Sequence, residues 1–211
     1  GTVIEGQEPI VVETNASLTK VYNKTKDVTV STYPQEFTII DRASNSFQQF
    51  AILSMDKAIY MKDSTSLAKQ SFEHLPETKK ILGYTCKKAK TIVNSNTIEF
   101  WYTDALKVKG APTILGQNLG LVLEMVRNGN FVISAVAIDK LKAIRSNELK
   151  TQKVDVLTYK DLLWKSRFTT IPIFKDQIIN FSSESKSNDS ILRFANGTIA
   201  LRKVKFPEIK I

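Results

Sequence analysis

Few residues in this sequence are equipped for chemistry. It holds one histidine and one cysteine. His74, in Phe72-Glu73-His74-Leu75-Pro76, could act as a general base. No nucleophile stands at an informative spacing from it, and one imidazole brings no second ligand for a metal. Cys86 lies in Gly83-Tyr84-Thr85-Cys86-Lys87-Lys88, where flanking lysines would favour a reactive thiolate. In an extended strand, however, Tyr84, Cys86 and Lys88 share one face and Thr85, Lys87 and Ala89 the other. The same spacing therefore describes a small thiol buried beneath a basic surface. Glu99 and Asp104 would suit glycoside hydrolysis if their carboxylates faced one another, but acids on strand surfaces are ordinarily solvated. Gly116 and Gly120 form neither a dinucleotide fingerprint nor a phosphate loop. Tyr159, Trp164, Arg167 and Phe168 put aromatics beside bases, as single-stranded nucleic acid requires. A helix face packed on a sheet requires the same pattern. No catalytic residue, metal or cofactor is expected from these residues.

The elements that would position these side chains are mostly strands. Ile10–Val12, Ser17–Tyr22, Val28–Thr32, Phe37–Ile40, Phe47–Leu53 and Ala58–Met61 are short runs rich in β-branched and aromatic residues, separated by Asn, Asp, Ser and Pro34. That spacing predicts an antiparallel meander. Ser64–Phe72 has the cap and apolar positions of a short helix. Ile81–Val93 and Ile98–Thr103 read as strands around Asn94-Ser95-Asn96, and Leu119–Val126 and Phe131–Ile138 as strands around Asn128-Gly129, the strongest hairpin signal in the chain. A capping-box spacing at Thr158–Asp161 predicts a helix of about two turns through Trp164. Ile171–Phe174 and Ile178–Phe181 are candidate strands, Ser182–Ser190 a loop, and Ile191–Ala195 and Thr198–Val204 a hairpin around Asn196-Gly197. The expected fold is mainly β: a curved antiparallel sheet or half-barrel with one or two short helices. It is read as a single domain over 1–211, with a sheet core at 1–138 and a basic segment at 139–211 packed on it.

Composition limits the function classes. The chain has 211 residues and a net charge of +9, with 42% hydrophobic residues. It is long enough to bury a core without disulfides, and its single cysteine allows no intrachain disulfide. No apolar run is long enough to span a membrane as a helix. Lys79–Lys90 holds five lysines and no acid, and Lys140–Arg167 holds eight bases against three acids. Such charge favours anionic partners or simply keeps a surface soluble. The chain starts at Gly1, and an export signal is expected to have been removed.

The stretch Leu75-Pro76-Glu77-Thr78-Lys79-Lys80-Ile81-Leu82-Gly83-Tyr84-Thr85-Cys86-Lys87-Lys88-Ala89, followed by Phe100-Trp101-Tyr102-Thr103 and Leu119-Gly120-Leu121-Val122-Leu123-Glu124, resembles the GLPGLI family of Bacteroidetes envelope proteins. Gln117-Asn118-Leu119 stands where that family has Gly-Leu-Pro. The resemblance implies no activity. Its β-rich pattern is similar to the half-barrel of LolA-type lipoprotein carriers, an analogy of fold alone. It implies a non-enzymatic envelope protein of the periplasm or outer membrane, peripheral to the membrane, whose partner is an apolar small molecule, a lipid, a lipidated partner or an envelope protein. By alternation Trp101, Leu119, Leu121, Leu123 and Phe131 are the candidate lining of an apolar groove. The alternatives are a hydrolase acting on polysaccharide or peptide, and nucleic-acid binding through the basic C-terminal third, with no nucleic acid expected on the leading reading.

Overall fold

In the computed structural model the described residues are 9–24, 33–140, 143–144, 150–169 and the short strands at 178–180, 192–194 and 197–199. They form a mainly β protein with two large sheets and one helix. The first sheet is built from β1 (Ile10–Thr14), β2 (Leu18–Asn23), β3 (Gln35–Asp41), β4 (Ser46–Ile52) and β5 (Ala58–Asp63), paired in order as an antiparallel meander. The second runs through β6 (Glu73–Ile81), β7 (Tyr84–Val93), β8 (Asn96–Thr103), β9 (Leu121–Arg127) and β10 (Phe131–Ser134), again antiparallel throughout. The chain then returns to the first sheet, where β11 (Thr151–Lys153) pairs in parallel with β5. The helix α1 (Val156–Thr169) follows at once. A separate three-stranded sheet contains β12 (Ile178–Asn180), β13 (Leu192–Phe194) and β14 (Gly197–Ile199). The expected strand at Val28–Thr32, the candidate strand at Ile171–Phe174 and the loop at Ser182–Ser190 lie outside the described residues.

Each sheet encloses its own apolar cluster. On the first sheet Ile40, Phe47, Ala51, Ile59 and Met61 project from one face onto Tyr159, Leu162 and Leu163 of α1. On the second, Ala89, Ile98, Phe100, Tyr102, Val122 and Met125 project onto Ala111, Leu115 and Leu119 of the long β8–β9 connection. That connection ties the two sheets together. The Thr14 hydroxyl donates to the Lys109 carbonyl, while Gly110 N–H donates to Gly120 O and Val122 N–H to Gly110 O. Gln70 fastens the far end, donating to Ile114 O at 2.9 Å and accepting from Gly116 N–H at 3.2 Å.

Three local expectations change. Ile81–Val93 is not one strand: Ile81 ends β6, and Leu82 (φ 48°) and Gly83 (φ 82°) make a two-residue turn into β7. Leucine is a poor residue for the left-handed region, so the turn carries no obvious signal in the sequence. Pro76 lies inside β6, where it is tolerated because β6 is an edge strand and its register shifts between Leu75 and Thr78. Ser64–Phe72 holds turns instead of a helix, because Asp63 accepts from the Thr65 and Ser66 amides and folds the chain locally. The other helix is longer than about two turns and starts earlier. Its cap is Asp155, which accepts from the Leu157 and Thr158 amides at 2.9 and 3.0 Å and from the Thr158 hydroxyl at 2.5 Å.

Candidate functional site

The five residues expected to line one groove are divided between two faces of the second sheet. Leu121 and Leu123 are buried with Cys86 on one face, and Trp101 packs against that cluster. Leu119 and Phe131 pack against the Phe100 cluster on the other. Strict alternation fails here because the β8–β9 register shifts between Trp101 and Tyr102, opposite Glu124 and Val122. Leu119 also lies in the turn before β9 rather than within it.

Trp101 is enclosed by charge. Lys79 Nζ lies 4.4 Å and Lys88 Nζ 5.4 Å from its ring centroid. Lys79 pairs with Glu124 at 2.5 Å, and Lys88 with Glu99 at 2.8 Å and Glu77 at 3.6 Å. Lys90 pairs with Glu73 and Lys87 with Asp104. Four of the five lysines in the Lys79–Lys90 run are therefore balanced by acids of the same sheet or of the β8–β9 connection, and among the described residues no continuous basic stripe runs along β6–β7. Glu99 and Asp104 each serve such a lysine, and nothing pairs the two carboxylates for hydrolysis. The Glu99 carboxylate raises the Lys88 ammonium above its usual value, and Asp104 does the same for Lys87.

Cys86 is fully buried, and burial raises its thiol above the usual range. Its alternation with Tyr84 and Lys88 is that of a structural thiol. His74 lies in β6, exposed, with Nδ1 3.0 Å from the hydroxyl of buried Tyr102. Burial raises that phenol, and Asp104 adds to the effect. Tyr159 is buried against the first sheet, and Arg167 pairs with Glu36 at 2.5 Å. That is the packed helix face, not a base-stacking surface. The side chain of Phe168 lies outside the described residues. Among the described residues no group of three His, Cys, Asp or Glu side chains is placed to hold a metal ion, and no helix is long and apolar enough to cross a membrane.

The most extended aromatic feature lies on the face of the first sheet opposite α1, and sequence reasoning passed over it. The register aligns Tyr22, Phe37, Phe50 and Tyr60 directly across β2, β3, β4 and β5. The Phe37 and Phe50 rings stack at 4.6 Å with an interplanar angle of 4°, and Phe50 and Tyr60 stack at 5.3 Å and 20°. Lys20 Nζ covers the Phe37 end at 5.0 Å and reaches Tyr22 at 5.6 Å. Glu13, on the same face, is 4% exposed; Oε1 accepts from the Tyr22 hydroxyl at 2.9 Å and Oε2 has no hydrogen-bond partner. Such a row is visible in a sequence only when the register is known.

Two family models match this chain in succession. The N-terminal domain of N-glycanase peptide matches residues 1–161, and the N-terminal part of peptide-N-glycosidase F matches residues 170–211. The chain belongs to the N-glycanase N-terminal domain family. Two solved structures of PNGF-II are similar to this chain. One, in space group C2, is 48% identical with a TM-score of 0.72, covering 91% of this chain and 36% of that one. The other, in space group P21, is 50% identical with a TM-score of 0.73, covering 98% and 39%. No curated protein matches. The N-glycanase assignment overturns the GLPGLI resemblance, the LolA analogy and the non-enzymatic apolar-carrier reading, and it favours the hydrolase alternative. In the structure Gly83-Tyr84-Thr85-Cys86-Lys87-Lys88 is the end of a positive-φ turn followed by a strand with a buried thiol, and its two lysines stand on opposite faces, each paired with an acid. The assignment agrees with an exported protein.

Proposed function

We propose that this chain is part of a peptide-N-glycosidase, a hydrolase acting on N-linked glycopeptides. Residues 1–161 would be an accessory domain, and residues 170–211 would belong to the N-glycosidase unit. The observation that carries this reading is the succession of two N-glycanase family matches along one polypeptide. It is supported by identities of 48% and 50% to PNGF-II over nearly the whole chain. The chain spans 36% and 39% of those two structures, so the activity is proposed for the longer polypeptide.

The site geometry favours an accessory role for the first 161 residues. The carboxylates Glu73, Glu77, Glu99, Asp104 and Glu124 are each committed to a lysine, the thiol is sealed, and the histidine holds a phenol. These groups fix the second sheet instead of facing a common substrate position. Export would bring the enzyme to its glycopeptides, in the periplasm or beyond. The test is incubation of the full-length polypeptide with a peptide bearing one N-linked glycan, read by mass spectrometry. Release of the glycan is the expected outcome, and an unchanged glycopeptide after long incubation with folded protein would refute the proposal.

A further inference from the structure

The first sheet carries an apolar band on both of its faces. α1 covers one of them, where Ile40, Phe47, Ala51 and Ile59 lie. The register sets Val11, Tyr22, Phe37, Phe50 and Tyr60 in one row across the other. Phe37 is only 8% exposed there, and the rest of the row is half-buried. An antiparallel sheet with one wet face alternates apolar and polar residues; a sheet that is apolar on both sides is built to be covered on both. The next row along this far face is Glu13, Lys20, Ile39, Gln48 and Lys62. The aromatic band therefore has a mostly polar border, the anatomy of an interface and not of a solvated sheet. Glu13 sharpens the point. It is 4% exposed; Oε1 accepts from the Tyr22 hydroxyl at 2.9 Å, and Oε2 finds no donor among the described residues. A sealed carboxylate oxygen without a donor is uncommon in a finished interior.

The course of the chain points to the occupant. α1 ends at Thr169, and the match to the N-terminal part of peptide-N-glycosidase F begins at residue 170, so no linker separates the two. Arg167 pairs with Glu36 at 2.5 Å, and the Ser166 hydroxyl donates to the Leu53 carbonyl at 3.4 Å. The end of the helix is thus fixed at the Glu36–Leu53 end of β3 and β4, beside the Phe37–Phe50 pair. Layers stack about 10 Å apart and an extended residue spans about 3.3 Å, so roughly six residues carry a chain around that end from the helix layer to the far face. The outer side of α1 is a poorer seat: Lys160, Asp161 and Lys165 are exposed there, and Lys165 pairs with Asp161 at 2.8 Å. We propose that the N-glycosidase unit beginning at residue 170 docks on this far face of the first sheet, sets apolar side chains on the Tyr22–Tyr60 row and brings an N–H donor to Glu13 Oε2. The proposal rests on the hydrolase reading above, in which the polypeptide continues into that unit; this chain covers 36% and 39% of the two PNGF-II structures, which leaves the larger part of each for it. Docked there, the unit and the first sheet open and close as one body.

The test uses the full-length polypeptide with one added cysteine at a time. Gln48→Cys lies on the far face and Lys160→Cys on the outer side of α1. Each is treated with a maleimide and read by peptide mass spectrometry, with the sealed Cys86 as internal blank. The expected result is labelling of Gln48→Cys about tenfold slower than that of Lys160→Cys, because it waits for the units to part. Phe50→Lys and Tyr60→Lys each put an ammonium into the row, which water accepts and a docked apolar surface does not. In whichever of them is folded by circular dichroism, Gln48→Cys should label about as fast as Lys160→Cys. If neither folds, the rates in the wild-type background decide. Equal rates in that background, or slow labelling that both folded variants leave unchanged, overturn the docking. Shielding that is lost on dilution means that a second copy covers the face, and also overturns it. Glycan release, measured on the same preparation, keeps the two proposals apart. Release with a freely labelled far face rejects the docking and leaves the hydrolase. Shielding without any release rejects the hydrolase and leaves a docked unit of another activity.

Discussion

Gly120 precedes β9 at the point where the β8–β9 connection is tied down by its own carbonyl, which accepts from Gly110 N–H at 3.0 Å. A Cβ at this position would meet Tyr102 Cδ2 at 2.7 Å, the Thr103 carbonyl oxygen at 2.8 Å and Asp104 Oδ1 at 2.9 Å. Only Asp104, an exposed side chain, can swing away cheaply. The Tyr102 ring is packed among Ala89, Phe100 and Val122, and the Thr103 oxygen is part of β8. Gly120→Ala must therefore displace the start of β9 or the Tyr102 ring. Overpacking of this kind costs about 1–3 kcal/mol, and a backbone oxygen among the obstacles puts this site at the upper end. The smaller conformational freedom of alanine in the unfolded chain returns about 0.4–1 kcal/mol. A net loss of about 2 kcal/mol lowers the melting temperature by about 4–8 °C for a chain of this size. Urea unfolding followed by tryptophan fluorescence measures it. Gly83→Ala is the control: nothing lies within 4 Å of its Cβ, and only its φ of +82° opposes the change, at a cost of about 1 kcal/mol. A Gly120→Ala protein as stable as the wild type, or more stable than Gly83→Ala, would refute the packing at this junction.

Leu123→Asp places an unpaired carboxylate at a position that is 3% exposed, and should cost several kcal/mol, enough to unfold the domain; a folded variant by near-UV circular dichroism would mean that this face is open. Native Cys86 should react with a maleimide only on the timescale of unfolding, since it is sealed and burial raises its thiol; prompt labelling of folded protein contradicts that. The Asp155 carboxyl is held below its usual 3.8, first by the Thr158 hydroxyl and then by the helix amides. Its folded-state pKa is thus lower than its unfolded one, so its stabilisation is complete above the unfolded value and disappears as pH falls through the folded value. Asp155→Asn should lose less helical signal on acidification than the wild type, and coincident far-UV titrations would remove Asp155 as the cap.

Local chemistry was readable where one short segment decides the outcome. Asn128-Gly129 adopts positive φ at both residues, and β9 and β10 pair around it. The buried side of Cys86 follows from period-two alternation, and the meander from β1 to β5 follows from the spacing of its apolar runs. What escaped depends on partners distant in sequence. The parallel return of β11 to β5 is made by only three residues, with no apolar run to announce it. The Leu82-Gly83 turn hides because leucine occupies a conformation that it seldom adopts. The supposed groove failed at a register shift, where one extra residue redirects the side chains that follow it. The aromatic row was invisible because each of its members belongs to a different strand.

The same dependence on register governs the charge, and it bears on where a partner can bind. Lys79–Lys90 has no acid along the chain, yet Glu73, Glu77, Glu99, Asp104 and Glu124 reach it from within or across the sheet. Exposed pairs of this type contribute little to stability, but they remove the concentrated positive potential that a polyanion would need. They also keep ammonium groups over Trp101, so the most conspicuous aromatic side chain of the second sheet has its faces engaged. The first sheet differs. Its stack is covered by Lys20 at Phe37. The aromatic row therefore lies on the sheet that the basic run does not touch, and the surface charge of the two sheets is set by register and not by the runs in the sequence.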